Sequence, residues 1–119
     1  MSNKDDKMSF EKSVDISLLL DFYGQMLTDR QRETTELYYN EDLSLSEIAS
    51  IQSITRAGVR DRLVKSEAIL RDYEQKLGLL HRFTRMKDEI ASIASLIQRC
   101  KNGEDVDFED ILRRLSDLQ

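Results

Sequence analysis

An all-α fold is predicted by three features of the sequence. The 119 residues contain no proline and only four glycines. Apolar residues recur at three- and four-residue spacings along most of the chain, the period of a helix with one buried face. Several Ser/Thr-x-x-Glu/Gln signatures stand where those periodic stretches begin, as helix-opening capping boxes do. At 39% hydrophobic and 34% charged the composition is that of a soluble globular chain about one domain long. Its longest apolar run, Leu18-Leu19-Leu20, is far too short for a membrane span. The first dozen residues have no apolar centre, so no signal peptide is expected. The single cysteine, Cys100, excludes an internal disulfide framework and suits a reducing, cytoplasmic location.

Residues 1–9 are polar and expected to be flexible. A first helix is predicted from about Glu11 to Leu27, with Ile16, Leu19, Leu20, Tyr23, Met26 and Leu27 inward and Gly24 tolerated inside it. Thr28-Asp29-Arg30-Gln31 is a capping box that opens a second helix to about Asn40, with Leu37 as its inward anchor. Tyr38 and Tyr39 beside it read as core edge or interface filler rather than a stacking platform for bases. Ser44 and Glu47 form another box, and the helix they open buries Leu45, Ile48 and Ala49. Gln52-Ser53-Ile54 interrupts the period, and Thr55 offers the next N-cap. The helix after it buries Val59 and Leu63 and turns Arg56, Arg60 and Lys65 outward.

A short helix, a tight turn and a second helix with a basic exposed face is the helix-turn-helix arrangement. Charge supports it. Net charge is −5, yet residues 55–87 hold nine basic and four acidic side chains, and the flanking segments are acidic. If the second helix enters a groove, Thr55, Arg56, Ala57, Arg60 and Asp61 meet the bases, arginine suiting guanine and a methyl suiting thymine. Lys65, farther along, holds a phosphate. Two residues depart from the motif: Ser53 where glycine or asparagine suits a left-handed turn, and Gly58 inside the second helix. A helical hairpin that contacts protein has the same spacing.

Beyond Val59 the helix continues. Leu63, Leu70 and Leu77 recur every seven residues, with Tyr73 and Leu80 beside them, a coiled-coil-like seam that predicts a dimer or partner interface. Gly78 bends or ends this helix. Another helical pattern follows through Phe83, Met86, Ile90, Ile93, Ala94, Ile97 and Cys100, stopped by Lys101-Asn102-Gly103 with Gly103 left-handed. Asp107 caps a last helix carrying Phe108, Ile111, Leu112, Leu115 and Leu118. These stripes exceed what a small helical core covers, so a homodimer is expected.

No catalytic arrangement is found. His81 lies between Leu80 and Arg82 without metal or triad spacing. Cys100 reads as a buried inert thiol. Phosphate-loop, metalloprotease, Cys-x-x-Cys and nucleophile-elbow patterns are missing, so no enzyme, cofactor or metal is expected.

Leu27-Thr28-Asp29-Arg30-Gln31-Arg32, Leu37-Tyr38-Tyr39, Leu43-Ser44-Leu45-Ser46-Glu47-Ile48-Ala49 and Thr55-Arg56-Ala57-Gly58-Val59-Arg60-Asp61-Arg62-Leu63 resemble region 4 of sigma factors. Together with Asp21-Phe22-Tyr23 and Ile69-Leu70-Arg71-Asp72-Tyr73-Glu74-Gln75-Lys76-Leu77 they are more similar still to the YlxM family of helix-turn-helix proteins from Gram-positive bacteria. The resemblance covers roughly residues 16–83. It implies an all-helical, cytosolic, non-enzymatic protein linked to the signal recognition particle pathway, with DNA or that particle's protein or RNA as partner. The expected organisation is a sigma-region-4-like helix-turn-helix core over residues 10–66 and a long helical extension over 67–119, together one compact domain.

Overall fold

A computed structural model describes residues 14–119. The flexible segment expected at 1–9, and the predicted helix start at Glu11, lie outside the described residues. The described residues form six α-helices: α1 (Val14–Tyr23), α2 (Asp29–Tyr39), α3 (Leu45–Gln52), α4 (Arg56–Leu77), α5 (Leu79–Lys101) and α6 (Phe108–Asp117). The all-α prediction holds. The described residues divide into two compact units, with the boundary between Gly78 and Leu79.

In the first unit α4 is the central element, packing on α1, α2 and α3. The local signals work as predicted. Thr28 and Ser44 each accept a hydrogen bond from the backbone N–H three residues on, and the Gln31 and Glu47 side-chain oxygens accept one in turn from the cap's own N–H. These caps satisfy N–H groups that a helix start leaves unpaired. Between α1 and α2 the chain tightens into a 3-10 turn at Gly24–Met26 rather than continuing as α-helix to Leu27. That change of pitch rotates Met26 out of the apolar stripe, and it is 55% exposed where burial was expected.

The α2 anchor also differs. Leu37 is only half-buried, while Tyr38 is wholly buried beside Tyr39, their rings edge-to-face at 4.9 Å. The inward face of α2 runs through Thr34, Thr35, Tyr38 and Tyr39, one position along from the prediction. Buried threonines make this possible. Thr34 and Thr35 return their hydroxyls to the Arg30 and Gln31 carbonyls at 2.8 and 2.7 Å, leaving methyl groups for the core.

Along α4 the buried residues are Val59, Leu63, Ser66 and Leu70. Leu63 and Leu70 are fully inaccessible in the core. This corrects the predicted interface. The seven-residue recurrence is met by packing within the unit, where a regular seam is also what a long helix needs to touch several neighbours. Tyr73 stacks on Tyr23 at 6.0 Å, and the Tyr23 hydroxyl donates to Glu74 Oε1 at 2.7 Å. Of the expected seam, Leu77 alone is well exposed, and Leu80 lies beyond α4 in the second unit. Gly78 ends α4 with φ +65°, donating its N–H to the Glu74 carbonyl at 2.8 Å. That left-handed stop is cheap for glycine alone.

The second unit is α5 and α6, joined by a short loop with Gly103 at φ +92° and Asp107 as the α6 cap, both as predicted. Arg114 of α6 bonds Glu89 of α5 and reaches Ser92 Oγ at 2.6 Å. Only Ile93 and Ile111 are buried here, and Cys100 is half-buried rather than enclosed. Among the described residues no helix is long and apolar enough to cross a membrane.

Candidate nucleic-acid interface

The turn between α3 and α4 sets the site. Leu45, Ile48 and Ala49 seat α3 in the core, so its C-terminus is fixed where Ser53 must reverse the chain. Ser53 does so at φ 57°, ψ 42°, a left-handed conformation costing a non-glycine residue about 1 kcal/mol or more. Thr55 then caps α4, accepting from the Gly58 N–H at 2.9 Å. A Cβ on Gly58 would stand 3.2 Å from Thr55 Oγ1 and 3.6 Å from Ile54 Cδ1. The glycine that looked out of place in a helix therefore leaves room for the cap.

All six residues assigned to nucleic acid from the sequence are exposed. Thr55, Arg56, Ala57 and Arg60 cluster on the first turns of α4. Thr55 is partly committed, because its oxygen serves the cap while its methyl stays outside. Arg60 forms no ion pair with another described residue, so its guanidinium is available to a ligand. Asp61 and Lys65 sit differently. They pair with each other at 3.1 Å and line an open cleft of about 440 Å³ between α4 and the start of α2. Across that cleft stands Arg30, again without an ion pair among the described residues.

Arg62 forms the cleft floor and is held from inside. Its Nη1 donates to Gln52 Oε1 at 3.2 Å and lies 3.5 Å from Thr34 Oγ1, and Gln52 is buried. The Thr34 hydroxyl also lies 2.7 Å from Gln52 Oε1. One polar network thus ties α2, α3 and α4 together beneath the surface, and it leaves Gln52 Nε2 buried without a hydrogen-bond partner among the described residues. Such a group costs about 1–3 kcal/mol, so the network fixes geometry more than it adds stability.

Sequence reasoning missed Arg30 and Arg62. A helical wheel of α4 puts Gly58, Asp61, Arg62 and Lys65 on one face, which was a usable signal. That this face meets the start of α2 depends on tertiary packing and was not. The assembled arrangement offers two exposed arginines one turn apart on Arg56 and Arg60, and three basic groups around a neighbouring cleft. Guanidinium and ammonium groups so placed suit phosphate oxygens and guanine edges.

Residues 10–109 match a family described as "Putative helix-turn-helix protein, YlxM / p13 like". Similar proteins include UPF0122 protein YlxM of Bacillus subtilis, 37% identical over 83% of this chain and 90% of that one. A UPF0122 protein of Geobacillus kaustophilus is 38% identical over 91% of this chain and 97% of its own. One from Caldanaerobacter subterraneus is 48% identical over 69% and 70%. With α3, a left-handed turn and a capped α4 in place, the chain belongs to the YlxM/p13-like family of helix-turn-helix proteins.

Proposed function

We propose that this protein is a non-enzymatic, nucleic-acid-binding regulatory protein that docks the first turns of α4 on a duplex. The observation that carries the reading is the exposed pair Arg56 and Arg60 at the start of the second helix of a well-packed helix-turn-helix. Arg56, Arg60 and Thr55 face bases, and Lys65 with Arg30 holds the adjoining phosphates. If two copies bind one duplex together, the reading requires two such helix ends about 34 Å apart, the spacing of successive major grooves. A salt titration of binding to duplex DNA tests the reading. Affinity should fall steeply with salt, and Arg56→Ala with Arg60→Ala should weaken it at least tenfold at low salt. No detectable binding at low salt, or none lost in the double variant, refutes it.

A second reading is a helical adaptor of the signal recognition particle machinery that binds its protein or RNA without base readout. It is favoured by how little base-reading chemistry α4 presents: two arginines, a threonine already engaged as a cap, and Asp61, which repels phosphate. A pull-down with the particle protein and its RNA tests this. Retention no greater than background sinks it.

A further inference from the structure

The α5–α6 hairpin leaves most of its apolar surface bare. We infer that two copies of this chain join their hairpins into a four-helix bundle, with the α5 residues Leu79, Phe83, Met86, Ile90 and Ile97 along its seam.

The spacing of these residues specifies a helical occupant. Leu79, Phe83, Met86, Ile90, Ile93 and Ile97 follow one another at intervals of four, three, four, three and four, a strict 3.5-residue period. That period keeps one narrow stripe toward a neighbouring helix over its whole length, and unlike the seam of α4 this one is left largely uncovered within its own unit. The hairpin's own α6 cannot be that partner throughout. It has 10 residues against 23 in α5, or about 15 Å against about 35 Å at 1.5 Å per residue. It also leaves its own Phe108, Leu112 and Leu115 43–59% exposed.

The area matches what a dimer requires. Eight large apolar residues of the hairpin are 36–59% exposed, which amounts to roughly 700 Å² of side-chain surface per copy, close to the ~800 Å² per partner of a standard stable interface. A unit of 41 residues with two large apolar side chains buried is, besides, close to the size of about 40 residues below which association is usually needed to sustain a core.

Charge selects a second copy and its arrangement. The hairpin carries seven basic and eight acidic side chains, so two copies meet without net repulsion. Helix α5 holds five basic and two acidic residues, while α6 holds two basic and three acidic and follows Glu104, Asp105 and Asp107. Setting α5 of one copy antiparallel to α5 of the other gives the stripe a partner along its length and brings each α6 beside the other copy's α5, which joins opposite net charges. A parallel α5 pair would instead place Arg82 against Lys87 of the second copy on both flanks of the seam, a like-charge contact. A two-fold axis relating the hairpins is the closed solution. The inference concerns the hairpin alone and does not depend on α4 binding nucleic acid.

Light scattering on the full chain, without nucleic acid, tests it. The wild type should show a mass of twice 13.9 kDa in the tens of micromolar range, and Ile90→Glu should return it to the monomer mass. Ile90→Ala with Ile97→Ala, which keeps helix propensity high, should raise the dimer dissociation constant at least tenfold with an unchanged circular dichroism spectrum. Ile90→Leu should leave the dimer intact. A monomeric wild type at 100 μM means that something other than a second copy covers this face and overturns the inference. So does a dimer indifferent to both the Ile90→Glu and the double alanine substitutions, since it would use another surface.

Discussion

The two compact units are built from helices of the same amphipathic kind, but they differ in how far burial is completed. Between Ile16 and Leu77, thirteen apolar side chains are buried, and the exposed large ones are Met26, Ile51, Val64 and Leu77. In residues 79–119 the proportion is reversed: Ile93 and Ile111 are buried, and eight large apolar side chains stand half-open to solvent. Three helices packed on α4 can enclose a core, whereas two helices cannot. The first unit is therefore a finished scaffold whose exposed surface is free for polar recognition. The second leaves an apolar stripe open, and that stripe is where we propose that two copies associate.

The largest effect that separates the units is a core truncation. Leu70→Ala should cost about 2–5 kcal/mol in urea unfolding, as deletion of a fully buried leucine does. Ile90→Ala, measured where the chain is monomeric, should stay within about 0.5 kcal/mol. Equal losses at the two positions would erase the distinction. Next in size is the cap that holds the recognition turn: Thr55→Ala should cost about 1 kcal/mol. Gly58→Ala should come out near zero, because a gain of ~1 kcal/mol in helix propensity is offset by crowding of that cap. Ser53→Gly should stabilise by about 0.5 kcal/mol, since relief of the left-handed strain exceeds the added freedom of the unfolded chain.

The smallest effect concerns pH. Burial, with the Glu67 carboxylate 3.3 Å from the phenol, pushes the Tyr39 pKa well above its usual value. A raised folded-state pKa contributes stability that is complete below the unfolded value of about 10 and is lost as pH rises above it. Between pH 9 and 11 the urea midpoint of Tyr39→Phe should therefore fall less steeply than that of the wild type. Parallel slopes would contradict the assignment.

What was legible in the sequence was local. Thr28 with Gln31, Ser44 with Glu47, Thr55 and Asp107 each act within three residues, and every one caps the helix predicted for it. Gly103 and the exposed arginines of α4 follow from the same short-range reasoning. Allocation of surfaces was not legible. The heptad leucines of α4 carry the pattern of an interface, and only the fold shows that Leu63 and Leu70 are consumed by the core that α4 forms with α1, α2 and α3. Tyr38 displaces Leu37 because two threonines satisfy their own hydroxyls and can be buried, which hydrophobicity alone does not register. Arg30 and Lys65 are 35 positions apart in sequence, and the cleft they share exists only once α2 packs on α4. The 3.5-residue period of α5 was visible throughout, but its availability depended on how little α6 covers.

Hydrogen exchange of the full chain at two protein concentrations a hundredfold apart tests the contrast between the units most directly. Amides of α1 to α4 should show the same protection at both, because their core is complete within one chain. Amides of α5 and α6 should gain protection at the higher concentration. Protection in α5 and α6 that is equal to that of α4 and independent of concentration would contradict the account.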